Sequence, residues 1–320
     1  MINLVLPERE HGGDLDRAVA RFGGTRAEWL DLSTGINPNP YPVGNISPGA
    51  WTALPDRDAF ARIESAARPF WGVPEGAEVV VAPGASALIA AMPALHDGGP
   101  VHVSAPTYNE HAAAFRAAGH EVVESVEPAK HHALRIVVHP NNPDGRLHDD
   151  PAGADLVIID ESFADVGVPS HVGRVPGGEA VVLKSFGKFW GLAGLRLGFA
   201  ICAPNHAAVL RRHLGPWAAS GPALEIGARA LADMDWAART RAELAEMAGR
   251  LDAVVLASGA ALVGGTSLFR LYRVADGRAM QDRLARAHVW SRVFADQPGW
   301  IRLGLPGDAV ALDRVARALG

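Results

Sequence analysis

Between Ala77 and Cys202 the chain alternates short apolar runs with helical segments, and this alternation restricts the fold more than any other feature. A-E-V-V-V-A-P-G is followed by S-A-L-I-A-A-M-P-A-L, and V-H-V-S-A-P by N-E-H-A-A-A-F-R-A-A-G. Three more apolar runs come next, L-R-I-V-V-H-P, D-L-V-I-I-D and E-A-V-V-L-K-S, and L-R-L-G-F-A-I-C adds a further strand. Strands apolar on both faces and separated by helices belong to a mostly parallel sheet sandwiched by helices. The expected class is α/β.

The flanks read differently. From Gly221 to about Leu256 the sequence is rich in Ala and Arg at helical period, which suggests one long helix bridging two lobes. From roughly Ala261 to Gly320, strand and helix patterns alternate: S-L-F-R-L-Y-R-V, A-M-Q-D-R-L-A-R-A, W-I-R-L-G-L and D-A-V-A-L-D-R-V-A-R. This reads as a smaller α+β lobe. The first fifty residues are rich in Gly, Pro and Asn, notably S-T-G-I-N-P-N-P-Y-P from Ser33 to Pro42, and suggest an extended arm, not a helix. A helix follows over Asp58 to Phe70, where Phe60, Ile63, Ala67 and Phe70 share a face. The expected division is an arm over 1–45 that contributes to the substrate site, a large domain over 46–215, and a linking helix with a small C-terminal domain over 216–320.

At 320 residues and 48% hydrophobic, the chain can bury one large core and a second smaller one. A net charge of −5 argues against a nucleic-acid partner, which favours a basic face. One cysteine, Cys202, rules out an internal disulfide and fits a reducing, cytoplasmic setting. Met1 to Glu10 lacks the charged-then-apolar pattern of a signal peptide, and no apolar run approaches the ~18 residues that span a bilayer, so no membrane partner is expected. His131-His132 is the only adjacent histidine pair and no second cluster supports it, so no metal is expected.

In open α/β sheets ligands bind beyond the carboxyl ends of the strands. After V-V-V-A-P comes Gly84-Ala85-Ser86, a glycine turn opening a helix, where backbone N–H groups can hold an anion. Taken alone it reads first as an ordinary capped helix. After V-H-V-S-A comes Pro106-Thr107-Tyr108; after R-I-V-V-H, Pro140-Asn141-Asn142; after L-V-I-I, Asp160-Glu161. After V-V-L comes S-F-G-K-F-W-G-L-A-G-L-R-L-G-F, Ser185 to Phe199, which together with Lys184 just before it holds two of the chain's three lysines. Each has a bland reading as turn chemistry. In order they offer an anion cradle, an aromatic plate, an amide, a carboxylate and an amine, and pyridoxal 5'-phosphate uses all five. An amine holds its aldehyde, and a carboxylate (Asp160) keeps its ring nitrogen protonated as an electron sink. Gly84, Ala85 and Ser86 would cup the phosphate, with Ser185 and the planar fork of Arg196 on the far side. Tyr108 would stack on the ring and Asn142 would donate to its hydroxyl.

S-F-G-K followed by G-L-A-G-L-R-L-G-F resembles the lysine segment of fold-type I pyridoxal-phosphate enzymes of the aspartate aminotransferase superfamily. The resemblance implies that Lys188, not Lys184, holds the cofactor, that His111 supports Asp160, and that Ser185 and Arg196 bind phosphate. A narrower resemblance, to the threonine-phosphate decarboxylase branch, rests on H-G-G-D-L-D-R-A, W-L-D-L-S-T-G-I-N-P-N-P, H-P-N-N-P-D-G-R, D-E-S-F-A-D-V and G-P-W-A-A-S-G-P-A-L. It implies decarboxylation of L-threonine O-3-phosphate to (R)-1-amino-2-propanol O-2-phosphate, serving cobalamin biosynthesis, by a homodimer whose substrate is a small phosphorylated amino acid. Lys188, Asp160 and Tyr108 would be catalytic. Arg302 in W-I-R-L-G-L would bind the α-carboxylate. His11, Gly35 and Asn37 in the arm motifs, and Arg270 in S-L-F-R-L-Y-R, are candidates for substrate contact. Aminotransferases of this group usually carry Tyr where this chain has Phe163, and the loss of that donor to the ring hydroxyl fits the decarboxylase branch better; relatives often have Y-P-D where this chain reads L-P-D at Leu54 to Asp56, which removes a contact to the neighbouring subunit's cofactor. The alternatives are an aminotransferase of the histidinol-phosphate type and a cofactor-fold protein that only binds. A nicotinamide site is disfavoured, since G-L-A-G-L-R-L-G lacks the G-x-G-x-x-G spacing and precedes a strand.

Overall fold

The computed structural model describes residues 11–128 and 130–320, so the reading of Met1 to Glu10 lies outside the described residues. The apolar runs form a seven-stranded sheet from β1 (Glu78–Ala82), β2 (Val101–Ser104), β3 (Val122–Ser125), β4 (His132–Val138), β5 (Ala154–Asp160), β6 (Ala180–Ser185) and β7 (Gly198–Cys202). The order across the sheet is β1-β7-β6-β5-β4-β2-β3. All pairings are parallel except those of β7, which runs antiparallel to both β6 and β1. Every residue of β2, β6 and β7 is buried, as expected of strands covered on both faces. The edge strand β3 is only half-buried, which is why its short V-V-E-S run carries no clear signal.

Helices cover both faces. Val80, Leu88, Met92, Phe115 and Ile158 sit in the core on one side; Ile63, Val81, Ile159, Phe199 and Leu224 sit in the core on the other. The helix over Arg57–Trp71 starts where Asp56 accepts from the Ala59 N–H and ends at Gly72 in the left-handed region, and it buries Ile63, Ala67 and Trp71.

The small lobe is a four-stranded antiparallel sheet in the order β10-β11-β9-β8, from β8 (Ala261–Thr266), β9 (Phe269–Arg273), β10 (Arg292–Phe294) and β11 (Gln297–Gly304), with helices over Gly277–Ala285 and Ala309–Leu319. Two expectations need correction. The single long helix from Gly221 is two, Gly221–Ala232 and Met234–Ala257, because Asp233 leaves helical geometry and accepts from the Trp236 N–H. Such a side chain competes with the helical backbone and starts a new helix instead. The arm is not wholly extended either: Leu15–Phe22 is a helix capped by Asp14. Its Leu15 and Ala18 pack with Trp29 against Ala285 and Trp290 of the small lobe. Leu30 and Asp31 then pair in parallel with Val289 and Trp290. The segment Ser33 to Pro42 contains no helix, as its Pro and Asn content requires.

Candidate active site

Strand period decides which side chains reach the site. At the end of β5, Asp160 faces a cavity of about 130 Å³, and at the end of β6 Ser185 faces the same cavity. Their chain neighbours point to the other side of the sheet, because successive strand residues alternate. There Lys184 Nζ lies 2.6 Å from Glu161 Oε2 and 3.8 Å from Asp165 Oδ1, and all three side chains are buried. The two lysines of the sequence motif are thereby divided: Lys184 is held in a buried ion pair and Lys188 lines the cavity.

The same cavity takes Gly84, Ala85 and Ser86 from the β1 end, Tyr108 after β2, Asn142 after β4, and Arg196 from the β6–β7 connection. Gly84 itself, not Ser86, is the cap of the helix Ala85–Ala91, and no side chain occupies that cap. A Cβ at Gly84 would lie 2.8 Å from Arg196 Nη2, so glycine is what lets the guanidinium close over the helix start. Asn142 is free to face the cavity because its neighbour Asn141 takes the structural work: it accepts from Thr107 and donates to Pro106 O and to Asp144.

Asp160 accepts from Ser162 twice, at its N–H and hydroxyl, and its Oδ2 is 2.8 Å from His111 Nε2. Burial pushes the Asp160 carboxyl up, but the hydrogen bond and charge of His111 with the two bonds from Ser162 outweigh it, leaving the group below its ordinary value. Lys188 is partly accessible from the cavity but enclosed by protein, and its Nζ lies 5.2 Å from the centre of the Phe163 ring. Burial, with Arg302 next, pulls the Lys188 amine down to about 8.

A second cavity of about 420 Å³ opens beside the first, and Tyr108, Asn142, Phe163 and Lys188 line both. His11, Gly35, Arg292 and Arg302 belong to this outer cavity. Arg302 is 6% exposed. It donates to Asn142 Oδ1 and, at 2.8 Å, to Ser33 O. Among the described residues its Nε has no partner. Burial, and then the Arg292 guanidinium, pull it below the ordinary arginine value, so an anion arriving there would relieve the charge.

Two expected substrate residues are elsewhere. Arg270 is bound bidentately by Asp252, at 2.7 and 3.0 Å, and Tyr272 donates to the same carboxylate. Asn37 is 2% exposed, with its amide donating to Phe189 O and its oxygen accepting from the Asn39 N–H. It lines neither cavity. The residue that sequence reasoning missed is Arg292, which stands opposite Arg302 in the β10–β11 register.

Residues 45–319 match the family model for class I and II aminotransferases. The chain is 39% identical to a protein named threonine-phosphate decarboxylase from Sinorhizobium sp, over 97% of each chain. It is also 39% identical, again over 97% of each, to one of the same name from Pseudomonas aeruginosa. The crystal structure of histidinol-phosphate aminotransferase from Sinorhizobium meliloti, in complex with pyridoxal-5'-phosphate, superposes with a TM-score of 0.82 at 19% identity, covering 100% of this chain and 96% of that one, so the two share a fold. With the family model spanning nearly the whole of the sheet and the small lobe, the chain belongs to the class I and II aminotransferases.

Proposed function

We propose that this chain is a pyridoxal-phosphate-dependent lyase that decarboxylates L-threonine O-3-phosphate to (R)-1-amino-2-propanol O-2-phosphate. The observation that carries the reading is the pair of joined cavities. The inner one offers an amine, a paired carboxylate and an anion cradle; the outer one offers two arginines to a substrate with two anionic ends. The full-length relatives named threonine-phosphate decarboxylase support the same substrate.

The inner residues fit the cofactor. Lys188 would hold its aldehyde, Asp160 its ring nitrogen, Asn142 its ring hydroxyl, and Gly84 to Ser86 with Ser185 and Arg196 its phosphate; Tyr108 would cover the ring. Bound there, it would supply an electron sink for the pair left on the substrate α-carbon when CO₂ departs. The chain's own residues do the rest. Arg302 takes the α-carboxylate and fixes the substrate's orientation, and Arg292 with His11 takes the phosphate. His111 and Ser162 keep Asp160 ionised, which keeps the charge the ring nitrogen needs. Lys188, with its amine near neutrality, gives up a proton to the α-carbon after CO₂ leaves. Phe163 offers no hydroxyl at a place where the aminotransferase relatives carry one, which favours the lyase over amino transfer.

The proposed organisation is an arm over 1–45, a cofactor-binding domain over 46–215 and a small domain over 216–320. We also propose a homodimer. Trp51, Leu54 and Trp217 are 67, 66 and 57% exposed, and Leu54 and Trp217 line two grooves that meet at Pro55 and Asp56. The buried lone Cys202 suits the cytoplasm, and among the described residues no helix is long and apolar enough to cross a membrane.

The test is direct. Purified enzyme loaded with cofactor should release CO₂ from L-threonine O-3-phosphate without any keto acid. Keto-acid-dependent amino transfer with no CO₂ would replace this reading by the aminotransferase one.

A further inference from the structure

Three consecutive carbonyls of the lysine loop, those of Lys188, Phe189 and Trp190, accept hydrogen bonds from one short stretch of the arm. Asn37 N donates to Lys188 O at 3.0 Å, Asn37 Nδ2 to Phe189 O at 2.9 Å, and Tyr41 N to Trp190 O at 2.9 Å. The loop is neither helix nor strand here: Lys188 O is also held from within it, by the Gly191 N–H at 3.0 Å, whereas the bonds to Phe189 O and Trp190 O come from the arm. The contact is tight as well as polar. A Cβ at Gly191 would lie 2.6 Å from Pro40 Cα and 2.8 Å from Asn37 O, so arm and loop meet backbone to backbone.

The other end of the same stretch reaches the outer cavity. Ser33 O accepts from Arg302 at 2.8 Å, Leu32 O accepts from the Gly304 N–H at 2.7 Å, and Gly35 lines the outer cavity against Phe163. A single strap of chain, Ser33 to Tyr41, therefore runs from the guanidinium of Arg302 to the backbone of Lys188. Asn37 is the strap's only side chain that bonds to the lysine loop among the described residues, and it is buried.

We infer that Asn37 is a positioning residue, which fixes Lys188 and, through the strap to Ser33, sets the distance between the lysine and Arg302. The inference rests on the role proposed for Lys188 above. That distance matters because the anchored carboxylate and the lysine together select which bond at the α-carbon is broken and where the proton returns. Small misplacements of a reacting group cost large factors in rate.

The experiment compares Asn37→Ala, Asn37→Asp and Asn39→Ala. Asn37→Asp keeps the acceptor for the Asn39 N–H but replaces the donor to Phe189 O by an oxygen, so it removes the bond to the loop and spares the turn. Asn39→Ala removes the strap's bond to Gly307 O and leaves the lysine loop alone. Two readouts are taken: kcat and KM with L-threonine O-3-phosphate, and the pH midpoint for acetylation of Lys188 by acetic anhydride in the full chain stripped of cofactor. Both Asn37 variants should lose kcat on the order of 10²-fold with KM within roughly threefold. Their Lys188 midpoint should rise by about half a unit or more as water gains access to the amine. Asn39→Ala should match wild type in both. The inference is overturned if Asn37→Asp behaves as wild type, if the Lys188 midpoint does not move, or if only KM changes. Should the wild type release no CO₂ from threonine phosphate, the decarboxylase reading fails, while the Lys188 midpoint still decides the role of Asn37.

Discussion

His111 Nε2 and Asp160 Oδ2 are 2.8 Å apart, and neither side chain is more than 3% exposed. A buried carboxylate stays ionised only when its surroundings stabilise the charge, and His111 and Ser162 do so here. Asp160→Asn should lower kcat on the order of 10²-fold or more, because the amide no longer favours a protonated ring nitrogen. The folded-state pKa of Asp160 lies below its ordinary 3.8, so the pair contributes stability above that pH and loses it as pH falls through the folded value. Acid unfolding of wild type and Asp160→Asn, followed side by side, should converge below about pH 3.8; parallel curves would contradict the pairing.

The two lysines should respond oppositely to removal. Lys184→Met leaves Glu161 buried without its cation, which should cost about 3–5 kcal/mol in unfolding free energy. Lys188→Met should cost little stability and abolish turnover, with no cofactor attached covalently on mass analysis. An active Lys188→Met enzyme would end the assignment.

The lowered pKa of Lys188 has a signature in the cofactor-free chain. Between about 8 and the ordinary 10.5 the unfolded chain holds a proton that the folded chain has released. Stability relative to Lys188→Met should therefore rise with pH across that window and stay level below it. Denaturant titrations at three pH values test the slope. A flat difference across the window would place the amine in ordinary solvent.

Arg302→Ala should raise KM for threonine phosphate on the order of 10–100-fold, since a forked contact to the carboxylate is lost and Asn142 loses its donor. Arg302→Lys should recover only part of this, because a point charge lacks the fork. A KM unchanged in both variants would move the carboxylate site elsewhere.

The strand ends were legible in the sequence because they obey local rules. Short runs apolar on both faces mark the strands, and each turn follows its strand directly, so Asp160, Lys188 and Asn142 fall at successive strand ends in the sequence itself. Two strands and both helices of the small lobe were equally plain, but the strands Ala261–Thr266 and Arg292–Phe294 were not. What stayed hidden depends on partners far along the chain. Asn37 looks like a substrate contact until Phe189, 152 residues away, takes its amide. Arg270 looks like a free cation until Asp252 claims it. Arg292 joins the site only because β10 pairs with β11, and a lone arginine in S-R-V-F signals nothing locally. The helix at Leu15 was obscured by averaging composition over an arm otherwise rich in Gly, Pro and Asn.

The reversed direction of β7 has an engineering consequence. Because the chain turns back beside β6 instead of crossing over through a helix, Lys188 and Arg196, two residues proposed to hold the cofactor, ride on the same short return. Lengthening or trimming that return would displace them together, so grafted loops and permuted termini belong at the opposite edge, beyond β3.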